Sequence, residues 1–104
     1  MIRKSVLMKL KPGKAREYRR RHNPIWPELH HDLKAAGISN YSIFCQEETD
    51  LLFAYMEVES EEKLKKLQTS AVFKRWRLEM KDLLAGGDEA AAGEEILSEV
   101  FHID

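Results

Sequence analysis

The beginning of the chain alternates between apolar and polar positions, as expected for a half-buried β-strand. The apolar side chains of one parity are Ile2, Val6, Met8 and Leu10. Pro12 and Gly13 follow at once, and a proline–glycine pair interrupts regular structure. The pattern therefore predicts a strand over residues 2–11.

Further strands are predicted around the polar turn at residues 47–50. Residues 38–46 place Tyr41, Ile43 and Cys45 on one side and Ser42 and Phe44 on the other. The segment LLFAYMEVE at 51–59 follows and completes a predicted hairpin. A last strand is predicted over residues 96–103.

The residues between the first two strands recur at helical spacing. A helix is predicted from about Lys14, and Pro24 and Pro27 interrupt it because proline lacks an amide donor and clashes with the preceding turn. Helical spacing resumes at Leu29 and stops at Gly37, which is a typical C-terminal cap.

A second helical region is predicted after the hairpin. Ser60 is a suitable N-cap for a short helix through Leu67, and Ser70 opens a longer one. The apolar stripe of this longer helix consists of Phe73, Trp76, Met80, Leu83 and Leu84. Residues 85–95 are small and polar, which predicts a loop.

The predicted order is β-α-β-β-α-β, a ferredoxin-like α+β fold with an antiparallel sheet, in one domain over residues 1–104. The helices can cover only one face of the sheet, yet both parities of residues 51–58 are largely apolar. An antiparallel sheet facing water should alternate more cleanly. We therefore expect two sheets to pack face to face in a homodimer, a dimeric α+β barrel; a monomer is the alternative.

Charge and cysteine content narrow the function classes. Lys and Arg number 17 against 18 Asp and Glu, a formal charge of −1, whereas nucleic-acid and anionic-membrane binders usually have a basic excess. Neither a membrane span nor a signal peptide is predicted. Cys45 is the sole cysteine, which excludes an internal disulfide and favours a cytoplasmic protein. We expect its side chain to be a small core hydrophobe.

Few residues offer recognisable chemistry. There is no glycine-rich phosphate loop, no CxxC pair and no nucleophile elbow. His30 and His31 are adjacent on a predicted helix and diverge by about 100°, so we expect a solvated surface and no metal site. His102 has no visible partner, and the RRR run at residues 19–21 is expected to be a solvated face.

His22 is the remaining candidate. Its position at a helix end has a structural explanation, since a histidine interacts favourably with the C-terminal dipole. However, Tyr18 lies one turn earlier on the same face, and Trp26 follows between two prolines. Tyr41 and Trp76, each also a common kind of core residue, could converge there. Aromatic faces with O–H and N–H groups suit a sugar, and a histidine transfers protons.

Four segments resemble the L-rhamnose mutarotase family, over roughly residues 2–84. They are YRRRHNPIWPEL at 18–29, NYSIF at 40–44, LLFAYMEVES at 51–60 and KRW at 74–76. The resemblance implies a dimeric α+β barrel that interconverts the α and β anomers of L-rhamnose without a metal or an organic cofactor. It further implies that His22 is the proton donor and that Tyr18, Tyr41 and Trp76 bind the sugar.

Two positions depart from the family pattern. Arg77 stands where a second tryptophan is common, which implies an altered sugar preference, and GGDEAAAGEE replaces the usual polar loop before the last strand. We hypothesise that Pro24 and Pro27 fix the turn so that His22 faces a pocket with Trp26 as its wall. The arginines at 19–21 would then help to keep His22 uncharged.

Other activities fit the same fold, since fold does not determine function. The alternatives are a mutarotase for another monosaccharide, a cofactor-free or haem-linked monooxygenase, and a non-catalytic sugar-binding dimer. The pairing of a phenol with an imidazole favours a sugar, so we expect an isomerase.

Overall fold

The structure, a computed structural model, describes residues 1–85 and 95–104. Its strands and helices appear in the following order: β1 (Ile2–Lys9), α1 (Ala15–His22), α2 (Pro27–Ala35), β2 (Ile38–Gln46), β3 (Leu51–Val58), α3 (Glu61–Gln68), α4 (Ala71–Met80) and β4 (Glu95–Leu97). Each predicted helical region is therefore a pair of short helices. No helix within the described ranges is long and apolar enough to cross a membrane.

The strands form one antiparallel sheet in the order β2-β3-β1-β4. In the central pair, Ile2 lies opposite Val58 and Lys9 lies opposite Leu51. This confirms the ferredoxin-like α+β architecture. β2 and β4 are the two edge strands, on opposite sides of the sheet.

The core lies between the helices and one face of the sheet. One cluster joins Leu10 and Leu52 from the sheet side to Tyr18, Leu29 and Trp76 from the helices. A second cluster joins Ile38 and Val58 to Ala36 and Leu67. Because Leu10, Leu52 and Val58 have no exposed surface, the inner face of the sheet holds the helices in place through apolar burial.

A β-bulge in β2 decides which side chains face the helices. The register shifts between Ser39 and Ser42, and Asn40 has a positive φ of 48°. The bulge inserts an extra residue, so Ile38 and Ile43 both pack on the core although they are five positions apart. Tyr41 shares the parity of Ile43 and is therefore turned toward the helix side.

The predicted helix starts are confirmed. The Ser60 hydroxyl accepts a hydrogen bond from the Lys63 amide, and the Ser70 hydroxyl accepts one from the Phe73 amide, each over 3.1 Å. Each serine thus satisfies an amide that the first helical turn leaves unpaired.

Three predictions about the second half of the chain are wrong. Leu83 and Leu84 are buried, but α4 ends at Met80, and Leu84 reaches the core through a bridge with Leu10. The last strand is only Glu95–Leu97, because residues 98–104 continue without strand pairing. Glu95 therefore belongs to β4, and the rest of the predicted loop, residues 86–94, lies outside the described residues.

The prediction for Cys45 is also wrong, since its side chain is exposed. It lies near the end of edge strand β2, where the helices do not cover it. Burial and the nearby Glu47 and Asp50 carboxylates raise the pKa of the thiol, so it stays protonated at neutral pH. Neither a core role nor an activated nucleophile is indicated.

Two glycines provide a matched test of the turns. Gly13 and Gly37 both have φ of +76°, but a Cβ on Gly37 would lie 2.6 Å from Cβ of Glu59, whereas Gly13 has open space. We expect Gly13→Ala to cost about 1 kcal/mol from the left-handed backbone and Gly37→Ala to cost about 2 kcal/mol or more. Urea unfolding measures both values. Equal costs would contradict the expected clash between an added Cβ at residue 37 and Glu59.

Candidate active site

Helix α1 brings a phenol and an imidazole together. Tyr18 and His22 are one turn apart, and their ring centroids are 4.3 Å apart with an angle of 34° between the planes. Tyr18 is buried and His22 is half-buried as the last residue of α1. The predicted pairing of these two side chains is therefore present.

A hydrogen bond decides the tautomer of His22. Its Nδ1 lies 2.7 Å from the carbonyl oxygen of Tyr18. A carbonyl oxygen only accepts, so Nδ1 must carry the proton and donate it. In the neutral imidazole, Nε2 then holds the free lone pair and is the atom able to accept a proton.

Burial lowers the pKa of His22 below its ordinary value of 6.5, and the hydrogen bond to Tyr18 opposes this in part. Desolvation disfavours the imidazolium, so the side chain is neutral at pH 7. The hypothesis that Arg19, Arg20 and Arg21 keep His22 uncharged is wrong, because burial and not a neighbouring arginine lowers this pKa. Arg20 and Arg21 are paired with Glu17.

Trp76 reaches the imidazole from α4. The centroids of His22 and Trp76 are 5.0 Å apart, and the rings meet edge to face at 89°. Trp26 packs on the far side, 5.1 Å from Trp76 at 83°. Trp26 is absent from the cavity lining in the described part of the chain, so it supports Trp76 from behind and is not the wall that we expected.

The proline-rich segment ends one helix and begins the next, as predicted. α1 ends at His22, the bond between Asn23 and Pro24 is cis, and Pro27 occupies the first turn of α2. The Asn23 side chain donates to the Arg19 carbonyl over 2.8 Å, which satisfies an acceptor at the end of α1. This arrangement fixes His22 at a helix terminus beside open space.

That space is a cavity of about 990 Å³ between the helices and β2. All four residues proposed from the sequence line it, namely Tyr18, His22, Tyr41 and Trp76. Tyr41 retains 40% of its exposure, so it lies near the opening, whereas Trp76 retains only 9%. The volume admits a monosaccharide with room to spare.

Arg21 connects the two helices that carry the site, a role that its position in a charged run had concealed. Its guanidinium donates to both carboxylate oxygens of Asp82, at 2.9 and 3.1 Å, and to the carbonyl of Glu79. It also donates to Glu17 over 2.8 Å. With only 18% of its side chain exposed, Arg21 ties α1 to the end of α4, contrary to the prediction of a solvated face.

The Glu17 end of this network gives a pH-dependent prediction. Arg20 and Arg21 lower the pKa of Glu17 from about 4.5 to about 2. The folded state therefore favours the carboxylate, and this stabilisation, present at neutral pH, is lost as pH falls from about 4.5 to about 2. We expect Glu17→Gln to flatten this part of the curve of unfolding free energy against pH, as measured by urea titration. An unchanged acid dependence would contradict it.

Of the remaining polar candidates, His30 lines the cavity, whereas His31 and His102 do not. His30 and His31 are exposed, as predicted, and His102 contacts Asp104 over 2.8 Å. Within residues 1–85 and 95–104, no group of His, Cys, Asp and Glu could hold a metal ion. The Arg77 guanidinium lies 5.1 Å from the centroid of the Phe73 ring.

Fold and site together define a class: a ferredoxin-like α+β protein with a half-buried histidine between aromatic side chains in a cavity. The family model for L-rhamnose mutarotase matches residues 3–103. The chain belongs to the L-rhamnose mutarotase family.

Individual relatives agree with this assignment. The L-rhamnose mutarotase of Tolumonas auensis is 43% identical over 103 residues, covering 99% of each chain. The crystal structure of L-rhamnose mutarotase from Formosa agariphila, 35% identical, superposes with a TM-score of 0.89 over 100% of both chains. A dimeric ferredoxin-like protein from an uncultured marine organism, 16% identical, shares the fold with a TM-score of 0.60, covering 98% of this chain and 91% of its own.

Proposed function

We propose that this protein interconverts the α and β anomers of L-rhamnose and that His22 moves the proton. The observation that carries the proposal is the state of one ring: Nδ1 is committed to the Tyr18 carbonyl, and the imidazole lines a cavity between two aromatic side chains. Membership of the L-rhamnose mutarotase family supports both the reaction and the sugar.

The reaction needs one proton to move from the anomeric hydroxyl to the ring oxygen. Neutral Nε2 of His22 accepts the proton from the hydroxyl on C1. The imidazolium then donates it to the ring oxygen as the bond between C1 and the ring oxygen breaks. C1 becomes an aldehyde and the ring oxygen becomes a hydroxyl. Rotation about C1–C2 and the reverse proton transfers close the ring as the other anomer, with His22 regenerated.

The other three candidates bind the sugar in this proposal. Trp76 and Tyr18 offer ring surface to the C–H groups of the pyranose, and Tyr41 offers a hydroxyl near the opening of the cavity. The lowered pKa of His22 favours proton transfer, because the neutral imidazole is the form that accepts the first proton of the cycle.

We further propose that the protein forms a homodimer through the outer face of its sheet. Phe44, Phe53 and Leu7 lie opposite one another across β2, β3 and β1 on the side away from the helices. Phe44 is 66% exposed and Phe53 is 39% exposed. A connected apolar surface of this kind is typical of an interface. The name of one structural neighbour describes that protein as dimeric.

Saturation-transfer NMR tests the activity directly, because it detects exchange between anomers at equilibrium. We expect addition of the protein to transfer saturation between the anomeric signals of L-rhamnose. L-Fucose and other hexoses serve as comparison substrates. Exchange at the uncatalysed rate for L-rhamnose, with folded protein present, would overturn the proposal.

Since the sole cysteine favours a reducing compartment, we propose that the protein works in the cytoplasm.

The pH dependence follows from the same proton transfer. Protonation removes the Nε2 lone pair, so the exchange rate should fall as pH drops through the His22 pKa, with a midpoint below 6.5. The free energy of unfolding depends on the same group. The stability that the protein has above the pKa of His22 in the unfolded chain is lost as pH falls through the lower pKa of the folded state. Exchange NMR across pH 4.5–8 measures the rate. A midpoint above 6.5 would contradict the burial argument.

A further inference from the structure

The residues that follow β4 form an arm that the other described residues of the subunit leave exposed. We call residues 98–104 the C-terminal arm; it has no helix or strand and follows β4. Val100, Phe101 and Ile103 are 95%, 77% and 78% exposed. Three large apolar side chains in seven residues leave a substantial hydrophobic surface in water, which is typical of a segment that packs on a partner.

The root of the arm is fixed at one edge of the sheet. The Arg3 guanidinium donates two hydrogen bonds to the Glu99 carboxylate, at 2.7 and 3.1 Å. Because Ser5 lies opposite Leu97, the arm continues along β1 toward Ile2. It therefore leaves the sheet at the β4 edge, at the end where β1 and β2 begin.

The opposite edge of the sheet is β2, which pairs only with β3 among the described strands. Tyr41, at 40% exposure, lies on this edge and lines the cavity. An unpaired strand edge can accept another chain. The arm of the same subunit is separated from it by β1 and β3, and three strand spacings amount to about 14 Å.

A two-fold dimer brings these two features together. When two such sheets pack face to face about an axis parallel to their strands, the strand order of one runs opposite to that of the other. The β4 edge of each subunit then lies over the β2 edge of its partner. Each strand also points in the same direction in both subunits. The arm thus leaves β4 at the end of the dimer where the partner's β2 begins, a few residues before Tyr41.

We infer that the C-terminal arm of one subunit packs on the β2 edge of a second copy and covers the opening of its sugar cavity. The inference rests on the homodimer proposed above. Both surfaces belong to this chain, and an isologous pair satisfies them twice. Charge agrees as well: Arg16, Arg19 and Lys34 line the cavity, and Asp104 ends the described arm.

Cross-linking between the arm and the start of β2 tests the contact. Cysteines replace Phe101 on the arm and Ser39 near the start of β2, in a Cys45→Ser background that removes the sole natural cysteine. With a short bis-maleimide, we expect a covalent dimer in this variant. It should be absent in the control that combines Ser39→Cys with Lys65→Cys, on α3. Equal cross-linking in the control, or none with Ser39→Cys and Phe101→Cys together, would overturn the inference.

Subunit complementation tests whether the arm completes the partner's site. One variant lacks residues 98–104; the other carries His22→Asn with the arm intact. Each alone should lose at least tenfold in kcat/KM for L-rhamnose exchange. After unfolding and refolding together in equal amounts, we expect about one quarter of the wild-type activity, since half of randomly paired dimers are mixed and each holds one complete site.

The outcomes separate the two proposals. No recovery in the mixture, with mixed dimers verified by a tag, would show that the arm does not act in trans. Full activity of the arm-deleted variant would likewise overturn the inference. Activity of the His22→Asn variant alone would instead overturn the role of His22, while the cross-linking result would still test the arm. Replacing Val100, Phe101 and Ile103 by serine gives a second, full-length version of the deletion.

Discussion

We expect His22→Asn to abolish nearly all of the catalysed exchange of L-rhamnose anomers while the protein stays folded. The substitution removes the only group in the proposed mechanism that both accepts and donates a proton. Proton transfer by a positioned side chain is typically worth about 10²–10⁴ in rate, or about 3–5.5 kcal/mol of barrier. We expect a loss in that range, measured by saturation transfer after subtraction of the uncatalysed rate.

The control for this variant is His31→Asn, on the exposed surface of α2. It removes an imidazole of the same kind outside the cavity lining, so the exchange rate should remain within twofold of the wild type. Thermal unfolding of both variants monitors their folding. If His22→Asn kept the wild-type rate, proton transfer at this residue would be refuted and the site would have to be sought elsewhere.

Trp76→Ala should cause the largest loss of stability among the site residues. Its indole is 9% exposed and contacts both His22 and Trp26, so truncation leaves a void between α1 and α4. Truncating a buried tryptophan costs about 3–5 kcal/mol. This is a large part of the 5–15 kcal/mol that stabilises a typical domain, so the transition in urea, followed by circular dichroism, should move to a much lower concentration.

Leu78→Ala provides the matched comparison, because Leu78 lies on the same helix and is 67% exposed. It should change the unfolding free energy by less than about 0.5 kcal/mol. Trp76→Phe should retain part of the packing and part of the sugar binding. Similar costs for Trp76→Ala and Leu78→Ala would show that Trp76 is not a core residue of this site.

The arrangement of strands and helix starts could be predicted because local signals and burial agree. Alternation in residues 2–11 gave β1, and Ser60 and Ser70 gave two helix caps that the structure retains. The spacing of Tyr18 and His22 placed both on one helical face, so their contact follows from local geometry. These features depend on residues within one or two turns of each other.

Features that depend on distant contacts could not be predicted. Arg21 looked like part of a solvated run, yet it binds Asp82, which is 61 positions away. Trp26 packs behind Trp76 because of the position of α4, which the proline pattern does not specify. The last strand was overestimated because apolar residues in the C-terminal arm imitate strand alternation. No other residue within the described ranges buries those side chains.

The proposed mechanism depends most directly on the protonation of one imidazole, and long-range ¹H–¹⁵N NMR of His22 measures it. At neutral pH we expect Nδ1 to carry the proton, Nε2 to be unprotonated, and added L-rhamnose to shift the Nε2 resonance. His22→Asn identifies the signals by their loss. A proton on Nε2 with a bare Nδ1, or an Nε2 resonance that does not respond to the sugar, would contradict the account.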